Sequence, residues 1–206
     1  MITHYMKQGT KEWLDVRKLK FTASHANTIM AMGKGLESLI DEMLADYYSS
    51  GTYEEYSQKF KSSAMQRGND FEDKSRQIYE LETGYSVDQV GFVEISENIG
   101  CSPDGLIGKD GMVEFKNHGD TVFLKLMETK KIDKKYADQI QMQLYVTGRD
   151  WCDYFGFNPN FDPCYFKVRI YPDIRVFEKL SEALPYAVNQ LKKRKDALDK
   201  VIHKQI

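Results

Sequence analysis

Residues 101–116 read CSPDGLIGKDGMVEFK, and this stretch decides the fold. It reads as two short strands joined by the Gly- and Asp-rich link at 108–111. Ser-Pro-Asp-Gly occupies positions 102–105, and nine residues separate Asp104 from Glu114. Side chains alternate along a strand, so Glu114 and Lys116 project from one face while Phe115 points to the other, into the core. Two acids and a lysine gathered at one sheet edge destabilise a fold unless something uses them.

A divalent cation would use the acids. Mg²⁺ and Mn²⁺ prefer carboxylate oxygens, so Asp104 and Glu114 are candidate ligands from neighbouring strands. The backbone carbonyl of Phe115, between Glu114 and Lys116, adds a third oxygen. Lys116 beside such a cation is expected to have a lowered pKa and to orient or deprotonate an attacking water. A second ion would stabilise the leaving oxygen in phosphoryl chemistry. The competing reading of the same residues is a β-hairpin carrying a surface ion pair.

The rest of the composition sets bounds. A chain of 206 residues is most simply one domain, 1–206, with a sizeable core, and 41% hydrophobic with 29% charged residues is ordinary for a globular protein. The net charge of −2 gives no global attraction to nucleic acid, so such binding requires a local patch. No apolar run approaches the roughly 20 residues of a membrane span, and no signal peptide opens the chain. Cys101, Cys152 and Cys164 are odd in number, widely spaced and without CxxC, which suits a reducing cytoplasm. The four histidines show no zinc spacing.

Outward from the central stretch, periodicity predicts helices at 8–20 (Trp13 and Val16 inward), 22–32, 36–48 and 64–81. The polar stretch 49–63 reads as a loop. Thr22 or Ser24 is the expected N-cap of the second helix. Ser24 there is either a plain cap or, with free helix N–H groups and Arg17 nearby, part of a phosphate site. Strands are expected at 85–95, 99–102, 106–107, 112–116, 151–157 and 164–171, forming one mainly antiparallel central sheet. Helices follow at 120–127, at 136–146 with Gln139 and Gln143 sharing one face, and from 174 to about 200, interrupted or kinked at Pro185. Lys130, Lys131, Lys134 and Lys135 form a basic cluster, which is either a solvated face or a surface for a DNA backbone. The fold class is α+β (mixed α/β), a central mixed sheet flanked by helices.

Several stretches agree with one family in the same order. Ser102-Pro103-Asp104-Gly105 followed by Glu114-Phe115-Lys116, Trp13-x-x-x-Arg17 with Thr22-Ala23-Ser24, Gly68-x-x-Phe71-Glu72, and Tyr136-x-x-Gln139-x-Gln141 with Val146-Thr147 together resemble the YqaJ-like viral recombinase nucleases. These belong to the PD-(D/E)xK superfamily and include the phage lambda exonuclease. The resemblance implies a restriction-endonuclease-like core and a Mg²⁺-dependent 5′→3′ exonuclease, with Mn²⁺ as a substitute and two ions per site. Asp104, Glu114 and the Phe115 carbonyl become ligands, and Glu72 acts through a metal-held water. Lys116 positions or activates the nucleophilic water, while Gln139 and Tyr136 lie against the scissile phosphate. Arg17, Ser24 and Ser102 become a pocket for a 5′-terminal phosphate. The resemblance also implies double-stranded DNA ends as substrate, a ring-shaped homotrimer, a single-strand annealing partner, and a phage or prophage origin with action in the bacterial cytoplasm.

Two other classes compete. One is a PD-(D/E)xK endonuclease or Cas4-like nuclease with another DNA substrate; the scattered cysteines disfavour an iron–sulfur version. The other is a non-catalytic DNA-binding member of the fold, which has no need of an intact Asp104, Glu114, Lys116 and Glu72 set.

Overall fold

A computed structural model describes the backbone of residues 1–49 and 63–202, and the side chains of 1–49 and 71–202. Most of the expected loop at 49–63 lies outside the described residues, and Gly68 falls where only the backbone is described. The first half of the chain contains β1 (Ile2–His4), α1 (Lys11–Arg17), β2 (Phe21–Thr22), α2 (Ala26–Ala31), α3 (Lys34–Tyr48) and α4 (Ser63–Thr83). Then come β3 (Phe92–Ser96), β4 (Ile99–Cys101), β5 (Gly105–Ile107), β6 (Gly111–Asn117), α5 (Asp120–Thr129) and α6 (Lys134–Thr147). β7 (Trp151–Phe157), β8 (Tyr165–Ile170) and α7 (Ile174–Ile202) complete the chain. None of the described helices is long and apolar enough to cross a membrane.

The sheet is mixed as expected, but the expectation of a single central sheet is corrected. Among the described residues the strands form two four-stranded mixed sheets, ordered β1-β3-β4-β2 and β5-β6-β7-β8. β2 runs parallel to β4, and β6 runs parallel to β7 across the α5–α6 connection. Sequence shows where strands are but not which neighbour each chooses, and the long helical link between 117 and 151 permits the parallel choice.

The alternation along β6 is the reason the second sheet holds a site. Val113 and Phe115 face α4, where they join Tyr79, Phe155 and Phe157 in one apolar cluster. Met112 faces the other way, into the larger core built with Ile140 and Leu144 of α6, Ile29 of α2 and Leu184 of α7. Glu114 shares that second face, and α6 packs over it while also touching β3, β4 and β7. One helix therefore spans both sheets.

Several local expectations change. The first helix is shorter than 8–20: Thr10 caps it by accepting from the Trp13 N–H, and it ends at Arg17 before Leu19 turns to a positive φ of 55°. Its fully buried residue is Leu14, with Trp13 and Val16 only partly covered. Thr22, extended (φ −115°, ψ 157°) where Phe21–Thr22 pairs with β4, stands at the N-cap of a 3₁₀ turn at Ala23–His25 that leads into α2. Its side chain makes no capping hydrogen bond, and His25, not Ser24, precedes α2. Of the strand expected at 85–95 only Phe92–Ser96 forms, with an isolated bridge between Asp88 and Leu106. α7 runs through Pro185 without interruption, held by Leu180, Ala183, Leu184, Ala187 and Leu191 packed on both sides of it.

Candidate active site

The β5–β6 register positions the acids. Gly105 lies opposite Val113 and Leu106 opposite Met112, so the next pair outward is Asp104 and Glu114. The Phe115 N–H donates to Asp104 Oδ2 at 2.8 Å. The N–H and C=O of one strand residue point to the same side, so the Phe115 carbonyl faces the same edge as Asp104. Glu114 is almost completely buried, at 1% exposure. Its Oε1 accepts from Lys116 Nζ and from Gln139 Nε2 at 2.5 Å, and its Oε2 accepts from Gln143 Nε2 at 2.7 Å. The Lys116 ammonium also lies 5.3 Å from the centre of the Tyr136 ring. Tyr136, Gln139 and Gln143 share one face of α6 through the three-to-four-residue spacing of a helix.

Electrostatics tie these groups together. Burial pushes the Asp104 carboxyl well above its usual range, and the Glu114 charge pushes the same way against the pull of Lys116. Burial also raises Glu72, with Asp73 and Glu114 adding to the shift while Arg76 and Lys116 oppose it. Glu72 lies on α4 two turns before Tyr79, and it lines a cleft of about 890 Å³ together with Gln8, Trp13, Asp73, Val90 and Asp104. Without a cation, Glu114 and Asp104 outweigh burial and hold the Lys116 ammonium protonated, above its usual range; the lowering expected of it belongs to the cation-bound site. As an ammonium, Lys116 is a donor that can orient a water.

Among the described residues no three His, Cys, Asp or Glu side chains converge closely enough to hold one ion. The donor set here is different: two facing carboxylates and a backbone carbonyl, all oxygens, with Lys116 as the cation between them. That chemistry fits a hard divalent cation, which would relieve the raised Asp104.

A second group lies two residues upstream. Arg17 Nη1 and Trp13 Nε1 each donate to Ser102 Oγ at 3.0 Å, and Trp13 Nε1 also donates to the Gly91 carbonyl at 2.9 Å. The Arg17 guanidinium stacks 4.1 Å over the Trp13 ring. Arg17 and Ser102 are thus brought together, and the accepting Ser102 oxygen keeps its own O–H to donate. Ser24 stands nearby through the parallel register Thr22–Gly100, but it is exposed and pairs with Thr22 Oγ1 at 3.2 Å and His25 Nδ1 at 3.4 Å. The four lysines of the basic cluster make separate contacts. Lys130 lies over Phe166, Lys134 pairs with Asp138 at 2.5 Å, Lys131 is exposed, and Lys135 lies 4.7 Å from the Tyr136 ring. Only Lys135 borders the site.

Sequence reading missed three contributors. Gln143 was recognised as sharing a face with Gln139 yet given no role, although that four-residue spacing was the signal. Trp13 braces Arg17, and its position one turn earlier on α1 was the clue. Gln8 bridges the Val90 and Pro103 carbonyls at 3.1 and 3.0 Å and so fixes the chain just before Asp104; nothing in the sequence marked it.

Comparison with known proteins fits this geometry. The model of the YqaJ-like viral recombinase domain matches residues 12–150, which include every residue of both groups. The chain belongs to that family. Among solved structures, the alkaline exonuclease LHK-Exo from Laribacter hongkongensis superposes with a TM-score of 0.85 at 27% identity, covering 96% of this chain and 100% of that one. Its complex with dAMP gives the same values. A phage-related exonuclease from Haemophilus somnus 129PT has a TM-score of 0.62 at 15% identity, covering 89% of this chain and 98% of that one, and shares the fold. The fold of this YqaJ-family chain is that of the PD-(D/E)xK nucleases. No curated protein matches it.

Proposed function

We propose that the chain is a Mg²⁺-dependent 5′→3′ exodeoxyribonuclease that resects linear double-stranded DNA from 5′-phosphorylated ends, leaving 3′ single-stranded overhangs for recombination by strand annealing. The observation that carries this reading is the spacing of the two groups. A braced Arg17–Ser102 pair, suited to an anionic terminus, lies two residues from Asp104 and its partners Glu114 and Lys116. An anion clamp fixed so close to the cutting site selects ends over internal positions, and the likeness to an alkaline exonuclease over nearly the whole chain supports it.

In this mechanism Asp104, Glu114 and the Phe115 carbonyl would hold the cation, with Glu72 acting through a water. Mg²⁺ (or Mn²⁺), two ions per site, would supply stabilisation of the charge that develops on the scissile phosphate. The chain's own residues do the rest. Arg17 and Ser102, with Ser24 at the rim, bind the 5′-phosphate. Lys116 donates to and orients the attacking water, and Gln139 with Tyr136 lines the phosphate's other side. Lys135 neutralises a backbone phosphate beside Tyr136. The same reading entails a homotrimeric ring around the product strand, a single-strand annealing partner, and a phage- or prophage-encoded enzyme acting in the bacterial cytoplasm.

The test is digestion of linear and circular duplexes, with and without 5′-phosphate, in Mg²⁺ or EDTA. Linear 5′-phosphorylated DNA should be degraded only with the metal, and Arg17→Ala should slow that substrate by about tenfold or more while sparing 5′-hydroxyl ends. Equal degradation of circles, or indifference to the 5′-phosphate, would falsify the exonuclease reading.

A further inference from the structure

α6 carries glutamines at 139, 141 and 143, and the structure gives them different duties. Gln141 faces away from the site: its Nε2 donates to the Tyr171 carbonyl and its Oε1 accepts from the Asp173 N–H, both at 2.8 Å, so it fastens the start of α7. Gln139 and Gln143, one turn apart, each donate to a different oxygen of Glu114. The donors differ in permanence. Lys116, on Oε1, is 21% exposed and can swing away when a cation competes for that oxygen. Gln143, on Oε2, is completely buried, and so is the carboxylate it holds. No solvent can take its place.

Gln143 also carries a penalty. Its own Oε1 is buried without a hydrogen-bond partner, which costs about 1–3 kcal/mol. A methionine would remove that orphaned oxygen but would leave the buried Glu114 Oε2 without its donor, so the amide at this position serves the carboxylate. What the amide does uniquely is fix the rotation of Glu114. We propose that Gln143 is a positioning residue for divalent-cation binding, holding Oε2 so that the carboxylate faces the cation in one orientation. This rests on Asp104 and Glu114 being ligands, and it assigns the chain a residue outside the motifs that mark its family. Hydrogen-bond partners of ligating carboxylates typically change metal affinity by about 10- to 100-fold when removed.

Calorimetric titration of Mn²⁺ into the full chain, without DNA, reads this directly. Gln143→Met should weaken Mn²⁺ binding of the folded chain roughly 10- to 100-fold. Gln141→Met should lower the melting temperature with Mn²⁺ affinity unchanged. If Gln143→Met does not fold, Gln143→Asn, which keeps the amide but withdraws it by one carbon, should show the same loss of affinity. Unchanged Mn²⁺ affinity in the folded Gln143 variant overturns the positioning role. Failure of the wild-type chain to bind Mn²⁺ at all overturns the ligand reading and this role with it, and the two results are distinguishable in one experiment.

Discussion

Removing the Lys116 ammonium leaves Asp104 and Glu114 facing each other across the β5–β6 edge without their shared cation. Lys116→Met should therefore reduce cleavage by at least about 10²-fold, the usual scale for a proton-handling or water-orienting group. Its DNA affinity should hold, since the Arg17–Ser102 pair proposed for the DNA end does not depend on Lys116. Single-turnover cleavage measured beside equilibrium binding separates the two, and residual turnover near wild type would take Lys116 out of the mechanism. At this scale sequence was a good guide to which residues meet: Glu114, Lys116 and Gln139 do touch, and Arg17 does reach Ser102. The charge state of Lys116 in the cation-free site lies beyond sequence, because it depends on two carboxylates whose burial only the fold sets.

At the scale of elements, β7 was legible to the residue, since the apolar run 151–157 is bounded by Gly148 and Asn158-Pro159. β3 was overextended because Val87 and Val90 are buried without ladder partners, and alternation reports burial and not pairing. The polar residue inside β7 was invisible. Asp153 is fully buried on the α4 face, where Tyr79 donates to Oδ2 at 2.8 Å and Arg169 donates to both oxygens at 2.7 and 2.9 Å. Arg169 in turn stacks 3.5 Å over Trp151, whose ring fills the space a side chain at Gly111 would need. This cluster ties α4, β7 and β8 together behind β6. Asp153→Ala should cost about 3–5 kcal/mol in urea unfolding, because it strands the guanidinium and the Tyr79 hydroxyl together. A loss below about 1 kcal/mol would show that the cluster is not what clamps these elements.

For the molecule as a whole, the unforeseen feature is that α6 lies across both sheets, so the site's glutamines sit on the helix that also joins the two halves of the core. Stability and site geometry are therefore coupled, and pH reads the coupling. His118, just past β6, pairs with Tyr154 Oη at 2.6 Å, and its ring lies 6.1 Å from that of Tyr136. Burial, with the Lys116 and Lys135 charges acting the same way, lowers its pKa from 6.5 to about 4. Tyr154 on the other side of that bond is raised by burial and stays protonated. A folded pKa below the unfolded one means the contribution is fully present above about pH 6.5 and is lost as pH falls toward 4. The loss is at most about 1.4 kcal/mol per pH unit, and less because the ring is partly exposed. Asp104 and Glu72, raised by burial, act in the opposite direction, since their protonation favours the folded state at low pH. The wild-type profile alone mixes these effects, so the difference from His118→Gln is the measurement that isolates the imidazole. Urea midpoints of the two proteins should differ by a constant amount above pH 6.5. Below it they should converge and then cross as wild type alone loses the histidine contribution. Parallel curves from pH 7 to 4 would show that His118 titrates normally in the fold, and that the packing of α6 over β6 does not hold it neutral.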